Sequence, residues 1–141
     1  GEDEERSMLT AMHALGDKAA QAHSMIEPVV GPEELLKLRG VSHAIRVDDS
    51  VMEYTLRIIR QSRSFPSLAL GASPRAAIML LQAAKALALL RGKDYPTPDE
   101  IQLMPPPVLR HRIRLTPEAE IEGLTPDSCI QSLLAQVDVP R

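Results

Sequence analysis

Apolar residues recur at helical spacing over most of the chain. A first helix is predicted by four such residues that follow an acidic start: Met8, Leu9, Met12 and Leu15. The sequence GPEELLKLRG, residues 31–40, predicts a short second helix, with Pro32 at a first helical position and Gly40 at its end. Residues 17–31 have weaker periodicity, and we interpret them as a connection that partly packs on the body.

Two longer helices are predicted in the middle of the chain. Residues 48–63 begin with aspartates suited to capping and carry an apolar stripe. A loop over residues 64–73 follows, with Ser73 as the N-cap of the next helix, Pro74 in its first turn and Gly92 beyond its end. This central helix is apolar nearly all round, which predicts that neighbours bury it on most sides.

Three Thr-Pro pairs, at residues 97, 116 and 125, predict further helix starts, and Glu100 completes a capping box in the first of them. The sequence HAIRV, residues 43–47, alternates and predicts a short strand. The second half of VLRHRIRL, residues 108–115, predicts a strand that pairs with it. The predicted fold is therefore mostly α, a small helical bundle with at most one two-stranded β piece.

Composition supports a helical globular domain. The chain has 141 residues, of which 44% are hydrophobic but only 2% aromatic, so aliphatic side chains must fill the core. The net charge of −3 argues against a general nucleic-acid binder. Cys129 is the single cysteine, which favours a reducing compartment, and no apolar run is long enough to span a membrane. We expect a soluble, cytoplasmic protein with no membrane contact.

Several catalytic motifs are missing from the sequence. There is no glycine-rich loop followed by Lys-Ser or Lys-Thr, and no G-x-S-x-G elbow. The four histidines are scattered and no cysteine pair occurs, so spacing predicts no metal site. Cys129 lies among apolar residues of an amphipathic helix, and we interpret it as a small buried side chain rather than a nucleophile.

The sequence GASPRA, residues 71–76, contains the strongest candidate site. Arg75 falls in the first turn of a helix, where the helix dipole disfavours a cation. Free N–H groups at a helix start attract anions, and a guanidinium adds a fork suited to phosphate. Gly71 and Ala72 would let a ligand approach the backbone closely. The alternative is that Arg75 is solvated or paired with an acid, and Gln82 and Lys85 either extend a polar edge from it or face solvent.

A basic stretch, RHRIR at residues 110–114, is a second candidate. It predicts contact with a neighbouring subunit or with nucleic acid. The alternative is that its arginines are solvated or paired with nearby acids, of which Glu118, Glu120 and Glu122 are examples. The acidic overall balance favours this alternative.

The sequence resembles the C-terminal helical lid of MoxR-type AAA+ ATPases. The resemblance is carried by LGASPRAAIMLLQAAKALALLRGKDYPTPDEI, residues 70–101, by PPVLRHRIRLTPEAEIEGLTPD, residues 106–127, and by LLAQVDVP, residues 133–140. Residues 31–40 and 45–63 also fit the lid of that family, so the likeness extends over effectively the whole chain. An ordered set of caps, glycines and prolines matches, which is more specific than one short pattern.

The resemblance implies a role for the GASPR corner. Arg75 is similar to the sensor-2 arginine, which would reach the γ-phosphate of ATP bound to a preceding core, and Gly71, Ser73 and Pro74 would shape the turn that aims it. Residues 1–31 would be an N-terminal helix and connection from the ATPase core, and residues 32–141 the helical lid. The core itself, with its Walker motifs and arginine finger, is missing from this sequence, so this chain alone should not hydrolyse ATP.

The family resemblance also implies partners. ATP with magnesium would bind the full-length protein, which would form a ring homo-oligomer and act in chaperone-like assembly, with von Willebrand factor A domain proteins as partners. Two other classes stay open on the sequence alone. One is a stand-alone helical adaptor with an exposed apolar groove, and the other is a small DNA-binding domain that uses residues 110–114.

Overall fold

The computed structural model describes residues 1–15 and 27–140, so most of the predicted connection over residues 17–31 lies outside the described residues. Eight helices and two short strands follow one another in this part of the chain. The elements are α1 (Glu2–Leu15), α2 (Pro32–Ala44), α3 (Asp49–Arg63), β1 (Leu68–Leu70), α4 (Pro74–Leu90), α5 (Pro98–Leu103), α6 (Pro105–Leu109), β2 (Arg114–Leu115), α7 (Pro117–Ile121) and α8 (Pro126–Leu134). The mostly helical fold with one two-stranded piece is confirmed.

The chain divides into two compact units, Gly1–Lys37 and Leu38–Arg141, and the division falls within α2. In the smaller unit, α1 buries none of its residues. The domain boundary predicted between residues 31 and 32 lies near this division and stays a prediction. In α2 the helix continues through Gly40 to Ala44, so the prediction that Gly40 ends it is wrong. A glycine weakens a helix by only about 1 kcal/mol and does not stop it.

The larger unit has one hydrophobic core built around α3 and α4. Helix α4 contacts α3, α5 and α6, and α8 packs against α3 and α6. The buried side chains are mainly aliphatic, as the composition predicted, with one tyrosine at the centre. They include Tyr54, Ile58 and Ile59 of α3, Leu80 of α4, Ile101 of α5, Leu109 of α6 and Leu133 of α8.

Helix α4 is buried along one stripe only, so the prediction of burial on most sides is wrong. Ala76, Leu80, Ala84 and Ala88 face the core at a spacing of four residues. Ile78 and Met79 are exposed despite being apolar. The partners α3, α5 and α6 all lie against the alanine-rich stripe, and small side chains there allow close helix packing. Outside this stripe, Lys85 contacts the end of α2 through a hydrogen bond to His43 O, and Ile78 and Met79 stay exposed.

The two strands pair differently from the prediction. Leu68–Leu70 lies antiparallel to Arg114–Leu115, with Leu68 opposite Leu115. The second partner was correctly predicted within residues 108–115, but the first lies in a segment that composition predicted as a loop. The HAIRV strand is wrong, because residues 43 and 44 end α2 and the following residues lead into the cap of α3. Five alternating residues fit a helix end followed by a linker equally well.

The capping signals mark helix starts correctly. Asp48 caps α3 by accepting from Ser50 N at 2.8 Å. Hydrogen bonding from the side chain and then from the backbone of Ser50 lowers the pKa of the Asp48 carboxyl. Thr97, Thr116 and Thr125 are the N-caps of α5, α7 and α8. Gly92, just beyond α4, has a φ of 69°, the left-handed conformation that glycine adopts without strain.

The described residues contain no helix long and apolar enough to cross a lipid bilayer.

Candidate functional site

The start of α4 presents Arg75 to solvent. Ser73 is the N-cap, Pro74 occupies the first turn, and the Ser73 hydroxyl makes no capping hydrogen bond. Arg75 follows in the same turn and is exposed. Within residues 1–15 and 27–140, no ion pair or side-chain hydrogen bond engages its guanidinium. The pairing with a nearby acid that the sequence left open is therefore absent from the described part of the chain.

Arg75 lies on the side of α4 opposite the core. Successive residues of a helix are rotated by about 100°, so Arg75 lies about 160° from the middle of the stripe that runs from Ala76 to Ala88. Ile78, Met79 and Gln82 share its exposed face. This face therefore combines one permanent positive charge with apolar and amide side chains.

The turn before Arg75 is fixed to the end of α3. Ser62 Oγ accepts a hydrogen bond from Ala72 N at 2.9 Å, and Arg63 Nε donates to Ala72 O at 2.9 Å. A Cβ added at Gly71 would lie 2.4 Å from Ser62 O, closer than real Cβ contacts allow. The space on the Cβ side of Gly71 is therefore filled by α3, and its missing side chain lets the turn pack there. The approach of a ligand to Gly71 stays a prediction.

Sequence reasoning did not identify Ser62 and Arg63 as part of this corner. They precede Ala72 by ten and nine residues, beyond the reach of any helix or turn pattern. The contact depends on how the end of α3 meets the start of α4. The buried position of Ser62 in an amphipathic helix is the one local sign of a specific role.

Gln82 and Lys85 have different environments. Gln82 is exposed on the same face as Arg75, whereas Lys85 Nζ donates to His43 O at 2.7 Å at the end of α2. A cation at a helix C-terminus complements the partial negative charge of the last carbonyls. Only Gln82 therefore extends the polar edge from Arg75.

Three side chains of the basic stretch at residues 110–114 are exposed, those of Arg110, His111 and Arg114. Arg110 forms an ion pair with Asp127 at 3.0 Å, and Arg112 donates to Val108 O at 2.6 Å while also contacting the His111 ring. Arg114 belongs to β2. The pairing of an arginine with an acid agrees with the alternative preferred from the sequence, although the partner is Asp127 rather than the glutamates that follow.

Cys129 is a core residue, as predicted. It is 2% exposed in α8, and burial raises the pKa of its thiol, against an opposing hydrogen bond from Ser128. A thiol held in its protonated form is a poor nucleophile.

The far end of α4 carries a charged cluster that sequence reasoning found only in part. Glu100 is fully buried and accepts from Thr97 N at 2.9 Å, which confirms its predicted reach back to the N-cap. Its other oxygen accepts from Arg91 Nη1 at 2.9 Å and Lys93 Nζ at 2.8 Å. Burial alone would raise the pKa of this carboxyl, but the donors from Lys93, Thr97 and Arg91 outweigh it and hold the pKa well below its usual range.

No three His, Cys, Asp or Glu side chains among residues 1–15 and 27–140 lie where they could hold a metal ion.

The mostly helical architecture, with one two-stranded piece, is that of a helical lid-type domain. The profile of the AAA lid domain family matches residues 60–133, which include the end of α3, the Arg75 corner, all of α4 and most of α8. The chain belongs to the AAA lid domain family.

Relatives identify the type of lid. The protein YeaC of Bacillus subtilis is 41% identical over 82% of this chain and 36% of its own length. Chaperone MoxR1 of Mycobacterium tuberculosis is 30% identical over 99% of this chain and 37% of its own length. The crystal structure of a candidate ATPase from Cytophaga hutchinsonii superposes with a TM-score of 0.75 at 30% identity, over 82% of this chain and 38% of that one. The domain is a lid of the MoxR type of AAA+ ATPase.

The chain spans little more than a third of the length of each of these proteins.

Proposed function

We propose that this lid senses nucleotide in a longer AAA+ ATPase, and that Arg75 is its sensor-2 residue. The observation that carries the proposal is an exposed arginine, at the start of a long helix, that has no ion-pair partner among the described residues. A cation at a helix N-terminus is electrostatically disfavoured unless an anion joins it. The terminal phosphate of ATP supplies such an anion.

The groups at this corner fit a phosphate. The Ser73 hydroxyl is exposed and makes no capping bond, so it remains available to donate. The guanidinium of Arg75 offers planar, paired donors that match phosphate oxygens. The start of a helix adds positive potential. Gly71, Ser73 and Pro74 act here by shaping and directing the turn, with Gly71 packed on α3.

The complete protein would supply the rest of the nucleotide site. ATP and Mg²⁺ would bind a core outside this sequence, since a triphosphate needs a phosphate cradle and metal ligands that Arg75 does not provide. A single charge-assisted hydrogen bond contributes about 1.5–3 kcal/mol, whereas micromolar binding needs about 8 kcal/mol. The isolated lid is therefore expected to bind nucleotide only weakly.

Sensing would operate as a switch between two lid positions. Arg75 would contact the γ-phosphate only while it is present, so hydrolysis removes a contact that favours one position. Ile78 and Met79 share the exposed face of Arg75, and a core that reaches Arg75 would cover them as well.

The wider role follows the family. We propose a ring homo-oligomer in the cytoplasm that assists the assembly of other proteins, by analogy with the relative named as a chaperone. Von Willebrand factor A domain proteins remain proposed partners. Family membership supports this function over the stand-alone adaptor and the DNA-binding domain.

The test is Arg75→Ala in the complete ATPase. Loss of one charge-assisted contact of about 1.5–3 kcal/mol predicts a fall in kcat of about 10- to 100-fold. Arg60→Ala, an exposed arginine of α3, is the matched control and should leave kcat unchanged. Equal turnover by the Arg75→Ala variant and the unaltered protein would reject the sensor-2 role.

A further inference from the structure

Both backbone polar groups of Ala72, three residues before Arg75, form hydrogen bonds to side chains of α3. Its N–H donates to Ser62 Oγ at 2.9 Å and its carbonyl accepts from Arg63 Nε at 2.9 Å. Ser62 Oγ in turn donates to Ile59 O at 2.7 Å, so the hydroxyl is itself fixed by the last turn of α3. Two consecutive residues of one helix thus fix the segment from which the next helix starts.

The two hydrogen bonds of Ala72 restrict the backbone angles that Gly71 would otherwise allow the turn to adopt. A glycine is needed there because any Cβ would strike the α3 backbone, but glycine also lets the chain adopt many backbone angles. Pro74 fixes φ on the other side of Ala72. With Ala72 held between them, the direction in which α4 starts, and with it the position of Arg75, is determined by α3.

We infer that Ser62 and Arg63 are positioning residues that aim Arg75 at the nucleotide, an inference that rests on the sensor-2 role proposed above. A site that contacts a developing charge needs its side chain held within a fraction of an ångström, and hydrogen bonds behind that side chain supply this precision. Arg63 acts through the Ala72 carbonyl and does not itself touch phosphate.

A charge-based role for Arg63 can be separated from the positioning role. Both terminal nitrogens of Arg63 make no hydrogen bond to any residue in the described ranges, so a direct phosphate contact is the rival explanation. Glutamine carries its Nε2 at the same number of bonds from the backbone as the Nε of arginine. Arg63→Gln therefore keeps the donor to Ala72 O without the charge, and Arg63→Met removes both.

The experiment measures kcat for ATP hydrolysis by the complete ATPase in five variants. These are Arg63→Met, Arg63→Gln, the control Arg60→Met, Arg75→Ala, and Arg75→Ala combined with Arg63→Met. We expect Arg63→Met to lower kcat on the order of tenfold because Arg75 loses its alignment. Arg63→Gln and Arg60→Met should match the unaltered protein, and Arg63→Met should cause no further loss once Arg75 is gone.

Four results would overturn the inference while leaving the sensor-2 role intact. Arg63→Gln could lose as much activity as Arg63→Met, which would assign the effect to charge. Arg63→Met could reduce kcat further in the Arg75→Ala background, or could fail to fold, which would make Arg63 a general structural residue. Arg63→Met could also leave kcat unchanged. A full-activity Arg75→Ala variant would instead reject the sensor-2 role, and the positioning role with it.

Discussion

Both ends of α4 carry an arginine, but the two side chains have different surroundings. Arg91, at the C-terminal end, donates to the fully buried Glu100, which Lys93 and Thr97 also bind. Arg75, at the N-terminal end, has no such partner in the described residues. The helix dipole favours a cation at the first of these ends and disfavours it at the second.

This difference suggests that the C-terminal end of α4 serves stability, whereas the N-terminal end serves ligand binding. At the C-terminal end Arg91, Lys93 and the Thr97 N–H all donate to the Glu100 carboxylate, so these hydrogen bonds join α4 to α5 without a ligand. At the N-terminal end Ser62 and Arg63 hold the backbone of Ala72 by hydrogen bonds. Arg75, three residues later, has no ion-pair partner in the described residues. A residue that responds to an anion is expected to have a backbone held by hydrogen bonds and a charged side chain without an ion-pair partner, as Arg75 has here.

The largest effect is expected from Glu100→Ala. Removing a buried carboxylate leaves Thr97 N–H, Arg91 and Lys93 without their acceptor. We expect a loss of about 3 kcal/mol in the free energy of unfolding, the lower end for a broken buried pair, since both cations stay partly solvated. Urea denaturation measures it. The neighbouring exposed Asp99→Ala is the control, with a loss of about 0.5 kcal/mol, and equal losses would contradict the account.

The contribution of Glu100 should depend on pH. The pKa of its carboxyl is lowered in the folded protein from an ordinary value of 4.5, so its stabilisation is fully present above that pH. It is lost progressively as the pH falls toward the folded-state pKa. Urea denaturation of the unaltered protein and of Glu100→Gln at several pH values should show their stability difference shrinking on acidification. A difference that does not change with pH would be inconsistent with a charged Glu100.

Gly71→Ala tests the base of the Arg75 corner. The new Cβ would lie 2.4 Å from Ser62 O, so we expect a destabilisation of about 2 kcal/mol as α3 and the turn separate. Gly40→Ala is the matched control, because that glycine lies within α2 with no atom near its Cβ position. It should stabilise the chain by about 0.5–1 kcal/mol. Thermal unfolding of both variants shows whether each change raises or lowers the stability. A Gly71→Ala variant as stable as the unaltered protein would mean that the turn is not packed as described.

Arg75→Ala should have the smallest effect on stability. An exposed residue without a partner in the described residues contributes within about 0.5 kcal/mol, and relief of the unfavourable dipole interaction could raise stability slightly. Urea denaturation of the isolated chain measures this. A large loss would show that Arg75 has a structural partner and would remove the contrast with Arg91.

Local signals in the sequence predicted the parts of this fold that depend on local chemistry. The Thr-Pro starts and the Gly92 stop act within a few residues, and the structure confirms them, as it confirms the N-cap position of Ser73. The strand partner of residues 114 and 115 was misassigned because pairing depends on where distant segments meet.

The candidate site divides in the same way. The first-turn position of Arg75 follows from the sequence of α4 alone, whereas its exposure was left open. Its support by Ser62 and Arg63, and the binding of Arg91 and Lys93 to Glu100, depend on contacts between elements that no periodicity encodes. The one-sided burial of α4 also escaped prediction, because an apolar sequence does not reveal which of its faces the rest of this domain covers.

The most direct test of the central claim is the distance between lid and core in the complete ATPase. Spin or fluorescent labels on the lid and on the core would report this distance. It would be measured once with a non-hydrolysable ATP analogue bound and once with ADP bound. We predict that the distance distribution of the unaltered protein differs between the two nucleotides, and that Arg75→Ala gives the ADP-like distribution with both. An Arg75→Ala lid that still moves with the γ-phosphate as the unaltered lid does would contradict the account.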